Sequence, residues 1–335
     1  MITPRIYRRS LRKAMQWRLL FLWWASLFVP GAIAAVPVAA FLGANLDHST
    51  RANDIVAWMD GSTVIDLIHS LADSSAAAGL RAGIMGAVLT LLFIAPFMAG
   101  AMVTAAHSDE PLPLQRLLAG AGEMYGRMLR TALCGLLPLA LGVGLAAAAF
   151  KMAAKTNEHA ICEADAIRRL HQASIAAAIL FFISHLLVDG ARAHFAAEAS
   201  RRSAVAALWG AVKLLVRRPL RMLAVGAAGS IAGLGIAALL MLLRLRVEQA
   251  GTFSIALAWV LAQAAHVSVG WGRGARIFGL AELLRADTAE RARAAFRMEP
   301  PASSPPALVE SETLEALVPP PATRSSLSPP GGSGR

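Results

Sequence analysis

An all-α fold is what this sequence predicts: a polytopic membrane bundle of six transmembrane helices with basic helices at the membrane interface. Three observations carry the prediction. The 335 residues are 56% hydrophobic and only 16% charged, too apolar for a soluble domain of this size. The net charge is nonetheless +11, which fits if apolar residues lie in lipid and basic ones flank it. The apolar residues also gather in six runs, at 19–42, 83–106, 131–150, 173–188 with its continuation, 222–243 and 252–269. Each run meets or approaches the roughly 20 residues a helix needs to cross a bilayer.

In chain order, 1–18 is a basic amphipathic segment. Tyr7, Leu11, Ala14 and Met15 face one way on a helix, and Arg8, Arg9, Arg12 and Lys13 the other. The first apolar run follows. Ala32-Ile33-Ala34 resembles a signal-peptidase site, but the run exceeds the 7–15 residues of a secretory h-region, so a retained first span is expected. Lipid cannot hydrogen-bond an open backbone, so every span should be helical throughout. Pro30, Pro37, Pro96 and Pro138 then predict kinks rather than breaks. The first outer loop is acidic, with Asp47, Asp54, Asp60, Asp66 and Asp73.

The loop after the second span predicts another basic amphipathic helix, starting at "HSDEP" (107–111), with Leu114, Leu117, Leu118, Ala121, Tyr125 and Met128 on one face. The loop after the fourth span predicts a third, with Val205, Leu208, Trp209, Val212 and Val216 on one face. Such helices are of the kind that lies in the membrane interface. After the sixth span, Gly270, Gly272 and Gly274 should let the chain bend into a last interfacial helix ending near Met298. There Ile277, Leu280, Ala281 and Leu284 face one way, with Arg276, Arg285 and Arg291 elsewhere. The membrane domain is therefore 19–298. The Pro-, Ser- and Gly-rich tail 299–335 should be disordered, and "LVESETLEALV" within it has the pattern of a short docking helix.

Orientation follows from Lys and Arg. The N-terminal segment, the second and fourth loops and the tail hold 24 of them against 8 on the opposite side. Both termini should be cytoplasmic. The dominance of Arg over Lys and the abundance of Ala fit a GC-rich bacterial genome, and hence a bacterial cytoplasmic (inner) membrane. The expected partner is the lipid bilayer with its anionic headgroups. A homo- or hetero-oligomer is compatible with the sequence. No nucleic-acid module is recognisable.

The order interfacial helix, span, span recurs three times. "GRMLRTALCG" (126–135) aligns with "RRPLRMLAVG" (217–226), and "HLLVDGAR" (185–192) with "HVSVGWGR" (266–273), matching His185, Val188 and Arg192 to His266, Val269 and Arg273. The alternative, that basic-apolar-Gly patterns recur by composition in any membrane protein, stays open at this level. Gly229 and Gly233 form a small-xxx-small pair suited to close helix approach.

Ionisable residues within or beside the spans are the natural place to look for chemistry, because they are costly there. His185, Asp189 and Arg192 are spaced to meet on one helical face, as are His194, Glu198 and Arg202. If the fourth and sixth spans pack together, His185 and His266 lie at similar depth, with Asp189 and Gln263 nearby. That set could bind a metal, relay a proton or hold an anionic headgroup. The structural alternative is that Asp189 and Arg192 pair at the inner interface, within reach of water. No cofactor is expected: HExxH and Cys/His ligand spacings that would support a hydrolytic metal centre are missing, and "GWGRGARIFG" (270–279) follows a span rather than the strand a nucleotide site needs. Cys134 and Cys162 form no CxxC pair, and no disulfide is expected.

The segment 187–223 carries Asp189 and Arg192 at the end of one span, Ser203, Ala207 and Leu208 in the following helix, and Arg217, Arg218 and Pro219 stepping into the next span. This resembles a recurrent pattern in uncharacterised bacterial six-span integral membrane proteins, loosely similar to the membrane domain of glycerophosphodiester phosphodiesterases. The resemblance covers about 35 residues with degenerate motifs. It implies an all-helical six-span domain without known catalysis, and the soluble phosphodiesterase domain is absent from the sequence. The expected function is non-enzymatic, with a structural, accessory or lipid-associated role. The alternative is a small transporter or permease-like protein with a site between spans four and six.

Overall fold

The computed structural model describes residues 4–46, 76–108, 110–158, 162–247 and 251–298. Among the described residues it contains eight helices and no strand: α1 (Pro4–Ala14), α2 (Trp17–Leu46), α3 (Ala76–His107), α4 (Leu114–Asn157), α5 (Glu163–Ala197), α6 (Ala204–Arg217), α7 (Pro219–Leu245) and α8 (Thr252–Met298). All but α1 and α6 are long and apolar enough to cross a membrane, and the chain is a multi-pass membrane protein. The helices run unbroken through Pro30 and Pro37 in α2, Pro96 in α3 and Pro138 in α4. The acidic loop 47–75 and the tail 299–335, with its docking-helix pattern, lie outside the described residues. The compact unit is Met1–Asp287; of a second unit, Thr288–Arg335, the described part is the last stretch of α8.

The core gathers at one end of the bundle. It joins Met98 and Val103 of α3, Leu117, Ala121 and Met128 of α4, Leu186 and Phe195 of α5, Met222 of α7 and Phe278 and Leu280 of α8. The last carbonyls of a helix have no partner within it, and cations suit that negative end. Here Lys13 Nζ donates to Ala106 O (3.1 Å), and Arg285 donates to Ala106 O (3.2 Å) and Ala196 O (2.7 Å). One arginine of α8 thus ties together the last turns of α3 and α5. Arg18 reaches Leu112 O (3.0 Å) and Arg127 reaches Ala199 O (3.2 Å). We call this the arginine-rich end; it also carries α1.

Several expectations are corrected here. The predicted second interfacial helix is the first part of α4, fused to its span in one helix of 44 residues, about 66 Å long at 1.5 Å per residue. Half of its apolar face is covered by protein: Leu117, Ala121 and Met128 are fully buried in the core, whereas Leu118 is exposed. It also begins at Leu114 rather than at "HSDEP", after Pro111 and Pro113. Residues before proline are pushed to extended backbone. His107 is the last residue of α3, and Ser108 and Glu110 form a turn through the Ser108 hydroxyl. Likewise α1 packs on protein. Trp271 Nε1 donates to Leu11 O (3.2 Å), and Ala14 is buried while Met15 is exposed.

The glycines 270–274 make no bend. α8 continues through them, and Gly270 and Gly272 serve close approach instead. A Cβ on Gly270 would strike the Trp23 ring of α2. One on Gly272 would come 2.6 Å from Gly229 O and 2.8 Å from Gly233 Cα. The small-xxx-small pair therefore does its expected work, and its partner is α8.

Helix α6 matches its prediction best. Ser203 Oγ caps its start by accepting from Ala206 N (3.2 Å). Small residues Ala204, Ala207 and Ala211, with Leu214, bury against the bundle, while Val205, Trp209 and Val216 face outward.

Candidate functional site

Asp189 is the only acid between Asp165 and Glu198. The Asp-Gly pair at 189–190 does not turn the chain; α5 runs on to Ala197. Gly190 allows α6 and α7 to close over it, since a Cβ there would lie 2.9 Å from Ala211 Cβ and 3.0 Å from Met222 Cε. Ala191 and Ala193 to Ala196 are buried with it. Asp189 is 1% exposed and Arg192 6%, so the pair is not the water-reached interfacial contact expected of it.

Three guanidinium groups converge on this carboxylate. Arg192 Nη1 donates to Oδ1 at 2.8 Å, the i,i+3 contact that the spacing predicts. Arg276 Nη2 donates to Oδ2 at 2.6 Å. Arg273 Nε stands 3.5 Å from Oδ1, an ion-pair distance. Arg276 Nη1 also donates to Ser230 Oγ (2.7 Å), whose hydroxyl donates to Gly226 O (2.8 Å). The network thus links α5, α7 and α8. It depends on Gly229, because a Cβ there would press on the Arg276 side chain.

Both carboxylate oxygens are engaged. One negative charge faces three positive ones, and no second acid pairs with these arginines among the described residues. The Nε atoms of Arg192, Arg273 and Arg276 are buried without a hydrogen-bond partner.

The two histidines expected nearby have separate partners. Half-buried His185 bonds through Nδ1 with Phe181 O (3.1 Å) and lies against the Phe181 ring of its own helix. It is close enough to feel the charges of Asp189, Arg273 and Arg276. His266 meets the Trp23 ring of α2 edge-on at 5.8 Å. Gln263 lies on the same stripe of α8, between Trp259, which meets Phe28 of α2, and His266. Gln263 Oε1 and His266 Nε2 are both buried without a hydrogen-bond partner. Among the described residues no three His, Cys, Asp or Glu side chains converge as a metal site would require. The expected neighbours Glu198 and Arg202 do not pair. α5 ends at Ala197, helical spacing lapses, and Glu198 takes Arg201 at 2.8 Å instead.

Arg273 and Arg276 are the residues that sequence reasoning left out. One readable signal existed: the match of 185–192 to 266–273 puts Arg273 in the register of Arg192. No protein-family model matches the chain, and no curated protein or solved structure matches it.

Proposed function

We propose that the protein is a non-enzymatic component of a bacterial cytoplasmic membrane, with a structural or accessory role in association with anionic lipid and both termini cytoplasmic. The outward face of α6 carries this reading. Trp209 is 58% exposed, with Val205 and Val216 on the same side. Lys213 lies over the Trp209 ring (5.7 Å), Arg202 precedes the helix and Arg217 is its last residue. Aromatic and aliphatic side chains beside cations are what an interfacial helix presents to acidic headgroups. A non-enzymatic role is supported by the state of Asp189: arginines hold both of its oxygens, so neither is free for acid–base work. The 24-to-8 division of Lys and Arg supports the orientation.

The synthetic peptide 203–221 should bind phosphatidylglycerol vesicles with an affinity that falls about tenfold between low and high salt. Equal affinity for phosphatidylcholine vesicles, or no salt dependence, would reject the lipid-associated reading. A periplasm-active reporter fused after Met298 should be silent in cells; activity there would reverse the orientation.

A second reading has one observation in its favour. Spans four and six do meet, at Asp189, Arg273 and Arg276, and charged pairs between spans mark transport paths in many membrane proteins. The chain would then be a small transporter or permease-like protein. The two readings part at His185 and His266, which stand outside the ion pairs: their substitution by Ala leaves the phenotype intact under the first, and abolishes flux at unchanged abundance under the second.

A further inference from the structure

We infer that the arginine cluster of α5 and α8 binds the phosphate of an anionic phospholipid, admitted from the lipid side beside Arg273. The inference deepens the lipid-associated reading above and rests on it.

Charge is the first argument. Asp189 compensates one of three guanidinium groups, and two positive charges remain among these partners. Buried charge is expensive unless paired and hydrogen-bonded. Donors are also left over. A guanidinium has five N–H groups, and the Arg192 side chain, 7% exposed, keeps its Nε without a partner. The planar fork of arginine matches the oxygens of a phosphate.

Position is the second argument. Asp189 follows directly on the apolar run 173–188, and Arg273 lies four residues beyond the run 252–269. Both stand where a span ends and headgroup phosphates begin. The Arg273 side chain is the exposed member of the cluster, at 31%. One turn further into the membrane α8 presents exposed Val269, and about two turns beyond Asp189 α5 presents exposed Phe181, with His185 midway between Phe181 and Asp189. Exposed apolar side chains on the membrane side of a cationic cluster suit an amphipathic ligand, with acyl chains toward Val269 and Phe181 and phosphate against Arg273.

The test uses the full-length protein in detergent, delipidated and then titrated with phosphatidylglycerol, phosphatidylcholine or inorganic phosphate while native mass spectrometry counts bound molecules. Wild type should retain phosphatidylglycerol roughly tenfold more tightly than phosphatidylcholine, and Arg273→Gln should lose that preference. Arg273→Lys keeps the charge, and hence the fold, but not the fork; it should bind roughly threefold more weakly than wild type. Should the Gln variant not fold, the Lys variant alone decides. Variants that bind phosphatidylglycerol as tightly as wild type would overturn the site, and leave the lipid-associated reading standing if peptide 203–221 still binds acidic vesicles. Wild-type protein without a preference for phosphatidylglycerol, together with a peptide 203–221 that ignores acidic vesicles, overturns both. Displacement of phosphatidylglycerol by an equal concentration of inorganic phosphate would overturn the lipid as ligand.

Discussion

Along α5, the stretch 163–182 buries Ala173 alone, whereas beyond it Ser184, Leu186 and every residue from Val188 to Ala196 are buried. α3 repeats the contrast: Leu89, Leu92 and Phe93 are exposed, while Met98, Met102 and Val103 are buried. At the lipid-facing end, packing a leucine against another helix gains little, because acyl chains are as apolar as leucine. Large side chains there can point outward without penalty. At the arginine-rich end helices stop, carbonyls lose their intrahelical partners and charges enter the packed region. Cohesion there comes from ion pairs, capped helix ends and glycine contacts.

The largest break in this contrast should follow from Asp189→Ala, which leaves three guanidinium groups around an empty position. A loss of about 3–5 kcal/mol is expected, read as earlier denaturation in a detergent titration and reduced abundance in membranes. Wild-type stability would show that the cluster does not hold α5 to α8. A smaller effect should separate two glycines. Gly272→Leu drives a side chain into Gly229 and Gly233, whereas a Cβ on Gly144 meets nothing within 4 Å. The first should cost about 1–3 kcal/mol and Gly144→Leu less than about 0.5 kcal/mol, both by the same titration. Equal losses would mean that close approach is not what the arginine-rich end requires.

Much of this fold is legible in the sequence because its signals are local. Run length marks the six spans, i,i+3 spacing gives the Asp189–Arg192 pair, and the Gly229–Gly233 spacing gives a close contact. The errors share one physical cause. An amphipathic pattern such as Leu117, Ala121 and Met128 states that a face is apolar, not whether lipid or protein covers it. A glycine can serve a bend or a missing Cβ, and Gly270 and Gly272 needed the second. A charged residue on a helix, such as Arg276, can face water or a buried carboxylate with the same periodicity.

The candidate site divides along the same line. Asp189, Arg192, His185, Gln263 and His266 stand out in the sequence as polar residues within or beside apolar runs. Their grouping does not. His266 and Gln263 belong to the stripe of α8 that faces α2, while Arg273 and Arg276, three and six residues beyond Gly270, complete the ion cluster.

The sequence by itself determined an all-helical chain with six helices apolar enough to span a membrane. That follows from transfer of each segment between water and lipid, which depends on composition alone. Only the tertiary structure decided that α1 and the start of α4 pack inward while α6 faces out, and that three arginines share one carboxylate. Those outcomes depend on which helices meet and at what depth, and for side chains far apart in the chain that is set by fit between surfaces.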